Sequence, residues 1–255
     1  MKQLKIGFCA ADKVGKEIVD FATKQKQRIE FIATSERDKS IYEYKISKIC
    51  QEREIELYRK INVNNPEFIN EIQKRGLDLM ILAWWPQIVK KEAINSVKIG
   101  WINTHPSFLP YGRGKHPYYW TIVEETPFGV SLHFIDEGTD SGPVLFQREI
   151  KVNGGDTGGT LYKKSCNEVV DLFKEVYGEI TTGKFKSVSQ PKNTRLHLGS
   201  EIEEHSRINL DERYNARELL NILRGRSFSQ GKRAAYFLEN GKRYNVKITI
   251  EEDEK

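Results

Sequence analysis

I-N-T-H-P-S-F-L-P-Y-G-R-G, residues 102–114, closes an apolar run and carries it into a turn marked by Pro106 and Pro110. That run, residues 99–104, is the last of five in the first half of the chain. The others are 4–10, 28–34, 55–60 and 77–85, all of strand length and rich in branched side chains. The segments between them, 14–27, 40–53, 66–75 and 90–95, have helical spacing instead. In the first of these, Val14, Ile18, Phe21 and Ala22 form one apolar face with Lys and Glu opposite. Pro66 suits the first helical position after Asn65, a favourable cap. Strand and helix alternating in this way predict an α/β, Rossmann-like, mostly parallel sheet with helices on both faces. Such sheets bind ligands outside the carboxyl ends of their strands. Asn103 and His105 stand at one such end, and Trp84, Trp85 and Pro86 at another.

Downstream, a strand-like run at 130–135 delivers D-E-G-T-D-S-G-P-V, residues 136–144, an acidic, glycine-spaced loop that includes Asp140. A strand at 143–151 leads into the turn N-G-G-D-T-G-G-T and a helix over roughly 160–180. Residues 183–199 are polar and read as a hairpin or linker. A small terminal α+β unit follows, with a helix near 216–223 and strands at 234–238 and 244–250 around Glu239-Asn240-Gly241. Asn-Gly between apolar runs is a strong hairpin signal. The expected organisation is a catalytic domain at 1–182, a hairpin or linker at 183–204 and a small subdomain at 205–255. The acidic tail, 251–255, is expected to be disordered.

At 255 residues the chain can bury a substantial core in one main domain with an appendage. The net charge of +5, from 41 basic and 36 acidic residues, suits an anionic substrate but equally describes a solvated surface. Three widely spaced cysteines, Cys9, Cys50 and Cys166, show neither zinc nor disulfide spacing, which fits a reducing cytoplasm. The first residues turn polar too soon for a signal peptide, and no apolar run approaches the ~20 residues that span a bilayer. A soluble cytoplasmic protein with no membrane partner is expected.

Two separated strand ends thus offer an amide, an imidazole and a carboxylate, a set able to stabilise an oxyanion and move a proton in acyl transfer. Asn103 can donate an N–H to the oxyanion. His105 can shuttle a proton, since imidazoles ordinarily titrate near ~6.5. Asp140 can fix the imidazole tautomer or relay through water. Taken singly, Asn103 also reads as a turn residue and His105 as a satisfied structural histidine. His133, mid-strand on the face shared with Ser131 and Ile135, could rival His105 but reads better as buried and satisfied. His197 and His205 lie in polar stretches and are expected to be exposed. Five scattered histidines form no metal-ligand spacing, so no metal is expected.

The pairing of N-x-H-P-S-x-L-P with D-E-G-x-D-S-G-P resembles the folate-dependent formyltransferases, which use N10-formyltetrahydrofolate. The resemblance covers roughly residues 5–182 and recurs more weakly over 205–250. In that family the Asn, the His and the Asp of the second loop form the catalytic triad, and the matching positions are Asn103, His105 and Asp140. The family's cofactor lies against the loop after the fourth strand and against the acidic loop, largely through backbone recognition. The resemblance therefore implies that Trp84, Trp85, Pro86, Gln87, Ile88, Asp136, Glu137 and Gly138 contact the folate. One of two adjacent tryptophans on a strand must point away from the other, so at least one is expected to be structural.

Within the family, x-R-G-x-x-P-Y-x-W after the catalytic turn most resembles enzymes that formylate amino groups on nucleotide-linked deoxysugars. This implies substrate contacts from Arg113, Gly114, Lys115, His116, Pro117 and Tyr118, where cationic groups suit a pyrophosphate and Tyr can stack. A solvated loop is the plain alternative. The implied acceptor is a dTDP-linked 3- or 4-amino-dideoxy sugar destined for surface polysaccharide such as O-antigen lipopolysaccharide. A homodimer is the family expectation, and no nucleic acid partner is expected. A glycinamide ribonucleotide formyltransferase would need a phosphate loop after the first strand, where this chain has A-A-D-K-V-G-K. A methionyl-tRNA formyltransferase carries a larger C-terminal barrel, although Arg224, Arg226, Lys232, Arg233, Lys242 and Arg243 could meet phosphates. A catalytically silent binding module conflicts with the intact triad motif. A dinucleotide oxidoreductase would need G-x-G-x-x-G after the first strand.

Overall fold

The computed structural model describes residues 3–38, 40–228 and 234–253. The five apolar runs become strands β1 (Ile6–Ala10), β2 (Ile29–Ser35), β3 (Leu57–Ile61), β4 (Leu79–Ala83) and β5 (Gly100–His105). Helices α1 (Asp12–Ala22), α2 (Ile41–Glu52), α3 (Pro66–Arg75) and α4 (Lys91–Ile94) alternate with them. β1, β4 and β2 are buried along almost their whole length, as strands covered on both faces must be. With β7 (Gly129–Phe134) and β8 (Val144–Glu149) they build a seven-stranded sheet ordered β3-β2-β1-β4-β5-β7-β8. Neighbours from β3 through β5 run parallel, and β7 runs antiparallel to β5.

By contact the chain divides into two units that interleave in sequence. The first comprises residues 1–105, 131–147 and 167–190. Its sheet is covered on one face by Phe68, Ile69 and Ile72 of α3, which join Cys9, Phe31, Met80, Leu82 and Trp101 in one core cluster. Trp101 is fully buried, and its indole N–H donates to the Ala93 carbonyl at 2.8 Å. On the other face Phe8 meets Phe173 of α6 (Gly158–Thr182) edge to face at 6.3 Å, and Phe21 of α1 meets Tyr177 at 5.5 Å. Helix starts follow the local chemistry: Asn65 accepts from the Glu67 N–H at 2.8 Å, Pro66 fills the first turn, and Gly76 closes α3 at φ +60°.

The second unit comprises residues 106–130, 148–166 and 191–255. It holds β6 (Arg113–Gly114) paired parallel to β9 (Leu196–His197), the helices α5 (Pro117–Glu124), α7 (Glu201–His205) and α8 (Ala216–Gly225), and the hairpin β10 (Ala235–Glu239) and β11 (Lys242–Val246). A Cβ on Gly225 would meet the Tyr119 ring at 2.8 Å, so that glycine lets α8 approach α5. The hairpin turns at Asn240 and Gly241 with φ of +49° and +72°, which suits this pair in a two-residue turn. Expected at 244–250, the second strand instead starts at Lys242. A two-residue turn pairs Glu239 with Lys242, and β10 supplies no partner past Val246. Phe237 and Tyr244 stack across the strands at 5.1 Å. All three cysteines are buried, and none forms a disulfide among the described residues. Among the described residues no helix is long and apolar enough to cross a membrane. Lys232, Arg233 and the last two residues of the acidic tail lie outside the described residues.

Candidate active site

β5 and β7 pair so that Asn103 lies opposite His133 and His105 opposite Ser131. Residues two apart on a strand share a face, and so do directly opposed residues, so these four side chains form one patch at the carboxyl end of β5. His105 is 6% exposed. The acidic loop after β7 brings Asp140 to it, with Asp140 Oδ1 3.5 Å from His105 Nδ1. The same carboxylate oxygen lies 3.8 Å from His133 Nε2. The structure therefore brings the expected amide, imidazole and carboxylate together and adds a second imidazole.

Both nitrogens of His133 are engaged. Nδ1 lies 2.8 Å from the Phe134 carbonyl and Nε2 lies 3.2 Å from Asn103 Nδ2. Burial, reinforced by His105, pushes His133 down to about 4, so its ring is neutral near pH 7. Ligand-type atoms of His105, His133 and Asp140 fall within 4.8 Å of one another, a grouping that linear spacing does not reveal. One of these atoms, His133 Nε2, is already 3.2 Å from the Asn103 amide nitrogen.

The acidic loop is held from inside and outside. Asp136 accepts from the Gly138 N–H at 3.0 Å and from the Ser141 hydroxyl at 2.6 Å. Gln190 donates to the carbonyls of Asp140 and Gly142 at 3.0 and 2.7 Å. A Cβ on Gly142 would collide with the Phe134 carbonyl, so the chain can pass there only as glycine. Asp140 itself sits at φ +49°, a conformation that Asp tolerates better than most residues. Glu137 is turned outward in an exposed ion pair with Lys91.

After β4 the candidate folate residues separate into two groups. Trp85 packs against the α3-side core cluster, while Trp84, at φ +61°, donates its backbone N–H to the Thr104 hydroxyl at 3.0 Å. Pro86 and Ile88 are exposed, Ile88 by 74%. Gln87 is buried: its Oε1 accepts from the Val63 N–H at 3.1 Å, and its Nε2 donates to the Ser35 hydroxyl at 3.2 Å and the Ile61 carbonyl at 3.3 Å. Its side chain is thus a strut joining this loop to the ends of β2 and β3, which leaves the backbone for any ligand. Gln87→Ala should cost about 1–3 kcal/mol of stability in a urea titration, because it strands the buried Val63 N–H. It should raise the KM for folate more than it lowers kcat. Unchanged stability would count against the strut.

The candidate acceptor residues lie in the second unit. Arg113 is buried and donates to the Thr194 hydroxyl at 2.7 Å. Gly114 sits at φ +87°, and a Cβ there would collide with the His197 carbonyl. The Lys115 side chain is exposed while its backbone N–H donates to that same carbonyl at 2.9 Å. Expected in a loop, Pro117 and Tyr118 instead open α5, with His116 as its cap at φ +61° and Pro117 in the first turn. Tyr118 packs edge to face on Phe128 and Tyr162, and its hydroxyl accepts from Ser165 at 3.3 Å. His197, expected to be exposed, is buried: it stacks on Trp120 at 3.9 Å with Glu124 and Glu201 at its two ring nitrogens. His205 is held by the Tyr119 hydroxyl at 2.7 Å.

Four residues that organise the site were not expected from sequence: Thr104, His133 in its pairing with Asn103, Ser141 and Gln190. Thr104 and Ser141 lie inside the two motifs and could have been found there. Gln190 carried no local signal.

An amide and a carboxylate-oriented imidazole at the carboxyl end of a mostly parallel sheet are the equipment of an acyl-transfer enzyme. The chain belongs to the formyl transferase family, whose model matches residues 12–176, and residues 201–252 match the N-formyltransferase dimerization C-terminal domain. A methionyl-tRNA formyltransferase of Clostridioides difficile is 30% identical over 181 residues, 71% of this chain and 58% of that enzyme. The chain thus spans well under two thirds of that relative. A dTDP-4-amino-4,6-dideoxyglucose formyltransferase of Mycobacterium bovis is 29% identical over 185 residues, 72% of this chain and 78% of the relative. Among solved structures, a sugar N-formyltransferase from a Shewanella species superposes with a TM-score of 0.82 at 22% identity, covering 98% of this chain and 99% of that one. The formyltransferase PseJ from Anoxybacillus kamchatkensis, in complex with UDP-4,6-dideoxy-4-formamido-L-AltNAc and tetrahydrofolate, gives 0.57 at 25% identity, covering 78% and 88%.

Proposed function

We propose that the protein transfers a formyl group from N10-formyltetrahydrofolate to the amino group of a dTDP-linked 3- or 4-amino-dideoxy sugar, supplying a cytoplasmic step of surface polysaccharide synthesis. The observation that carries the reading is the grouping of Asn103, His105 and Asp140 on adjacent strand ends. The folate supplies the formyl carbon. Asn103 donates a side-chain N–H to the charge that builds on the formyl oxygen. His105 takes the proton released as the sugar nitrogen bonds to carbon and gives it to the departing folate nitrogen. Asp140 holds the ring so that one nitrogen faces the reaction. Trp84 to Ile88 and Asp136 to Gly138 cradle the pterin through backbone groups, and Arg113 to Tyr118 meet the nucleotide sugar. Residues 1–182 carry the transfer, and 205–255 pair two subunits, in keeping with the dimerization-domain match.

The acceptor reading is supported by the dTDP-4-amino-4,6-dideoxyglucose formyltransferase relative, of which the alignment spans 78%, and its amino-sugar class by the UDP-linked formamido sugar bound to PseJ. The tRNA reading has the 30% identical relative in its favour, over 58% of that enzyme. Two of the arginines it would need are occupied. Arg224 donates to the carbonyls of Asn153 and Gly154, both at 3.0 Å, and buried Arg226 pairs with Glu203 at 2.8 Å. A panel of dTDP- and UDP-linked 3-amino and 4-amino sugars, glycinamide ribonucleotide and charged initiator tRNA, followed by released tetrahydrofolate, decides the acceptor. Turnover with a dTDP-amino sugar is expected. Turnover with tRNA or the ribonucleotide alone would overturn the acceptor and leave the transfer reaction standing.

A further inference from the structure

We propose that His133 is a positioning residue that locks the Asn103 carboxamide with its NH2 group, rather than its oxygen, in place to serve the reacting formyl group. The inference rests on the reading of Asn103 as the oxyanion donor. A primary carboxamide can turn over about its terminal bond and exchange its oxygen for its NH2 group, since the two ends are nearly the same shape. One orientation presents a donor to the developing negative charge. The other presents a carbonyl oxygen, which repels it. Something must therefore break the near-symmetry before catalysis.

The neighbouring strand supplies it. A backbone carbonyl only accepts, so His133 Nδ1, 2.8 Å from the Phe134 oxygen, must carry the ring proton. In a neutral ring the other nitrogen is then a bare lone pair, and His133 Nε2 lies 3.2 Å from Asn103 Nδ2. An amide oxygen turned toward that lone pair would be repelled, so only the NH2 group fits there. One of its two protons binds His133, and the second makes no hydrogen bond among the described residues. The strand register that sets Asn103 directly opposite His133 fixes the spacing, and 2% exposure of His133 keeps water from competing. The titratable groups facing this ring are His105, Asp140 and Asp136; burial and His105 together outweigh the two carboxylates and keep it neutral. His133 so placed carries no proton in the reaction and leaves that task to His105.

The test uses the full chain with His133→Leu, His133→Gln, Asn103→Ala and the double variant His133→Leu/Asn103→Ala, assayed with N10-formyltetrahydrofolate and dTDP-4-amino-4,6-dideoxyglucose. His133→Leu should lower kcat about 10²-fold, approaching the loss of an oxyanion donor, with the KM for folate unchanged. His133→Gln should recover most of that loss, because its amide oxygen can accept from Asn103. The double variant should be no slower than Asn103→Ala alone, since both changes remove the same interaction. Nitrogen-15 spectra of the wild type should show His133 protonated at Nδ1 and bare at Nε2. One side-chain amide proton of Asn103 should exchange slowly in the wild type and rapidly in His133→Leu. A protonated Nε2, or full kcat in His133→Leu where Asn103→Ala is slow, overturns the lock while the formyl-transfer reading survives. An Asn103→Ala variant as fast as wild type overturns that reading's oxyanion donor and the lock with it. Where the sugar is not turned over at all, the spectra decide alone.

Discussion

Asp140→Asn is expected to lower kcat by about 10³–10⁴-fold while leaving the fold and the KM for N10-formyltetrahydrofolate nearly unchanged. In the proposed reaction the carboxylate oxygen 3.5 Å from His105 Nδ1, which can only accept, favours the proton on Nδ1 and so directs Nε2 to the amine's proton. An asparagine of the same shape offers an N–H at that place as readily as an oxygen. When the N–H faces His105, the imidazole must carry its proton on Nε2, and the base is lost. The loop should survive the change. Asparagine tolerates the φ of +49° at this position, and the clamp from Gln190 grips the backbone carbonyls of residues 140 and 142. Steady-state kinetics beside a melting curve check the prediction. A kcat within tenfold of wild type would mean that His105 is oriented by something else.

Asn103→Ala is expected to lower kcat by about 10²–10³-fold, the usual consequence of removing one oxyanion donor. The substitution also strips His133 Nε2 of its partner, and a bare buried lone pair costs about 1–3 kcal/mol. A modest stability loss should therefore accompany the kinetic one. Asn103→Asp distinguishes the two effects. It keeps shape and polarity, but its charge faces both the formyl oxygen and the His133 lone pair, so it should be at least as slow as alanine. Single-turnover rates with urea unfolding of the same samples report both quantities. An Asn103→Asp variant faster than alanine would show that the amide donates nothing to the reaction.

The sheet was legible because strands buried on both faces leave uninterrupted apolar runs, as in the I-G-F-C-A of β1 and the L-M-I-L-A of β4. Asn65-Pro66 and Asn240-Gly241 announced a helix start and a hairpin turn because their conformations suit few other residues. The residues that the structure groups at the candidate site were legible as two motifs, but the partner of Asn103 was not. His133 lies thirty positions away, across α5, and only the antiparallel register of β5 against β7 brings it opposite. Gln190 grips the acidic loop from fifty positions downstream with no pattern around it. Tyr118 reads as a loop residue because it follows the Gly- and Pro-marked turn after His105, and Y-Y-W-T-I-V is a weak helix former. Proline in the first turn and burial against Phe128 and Tyr162 outweigh that weak propensity. The interleaving of the two compact units follows from chain crossings that no local composition marks.

In the proposed reaction this strand-end group moves a formyl carbon from folate nitrogen to a sugar amine. It is tested most directly by supplying N10-formyltetrahydrofolate labelled with carbon-13 in the formyl group, together with dTDP-4-amino-4,6-dideoxyglucose and its 3-amino isomer. The label is then followed by NMR in the wild type and in His105→Asn. The carbon-13 signal is expected to move to a formamide on the sugar nitrogen of one isomer in the wild type and to stay on folate in the variant. A label that remains on folate, or appears only as free formate, would contradict it.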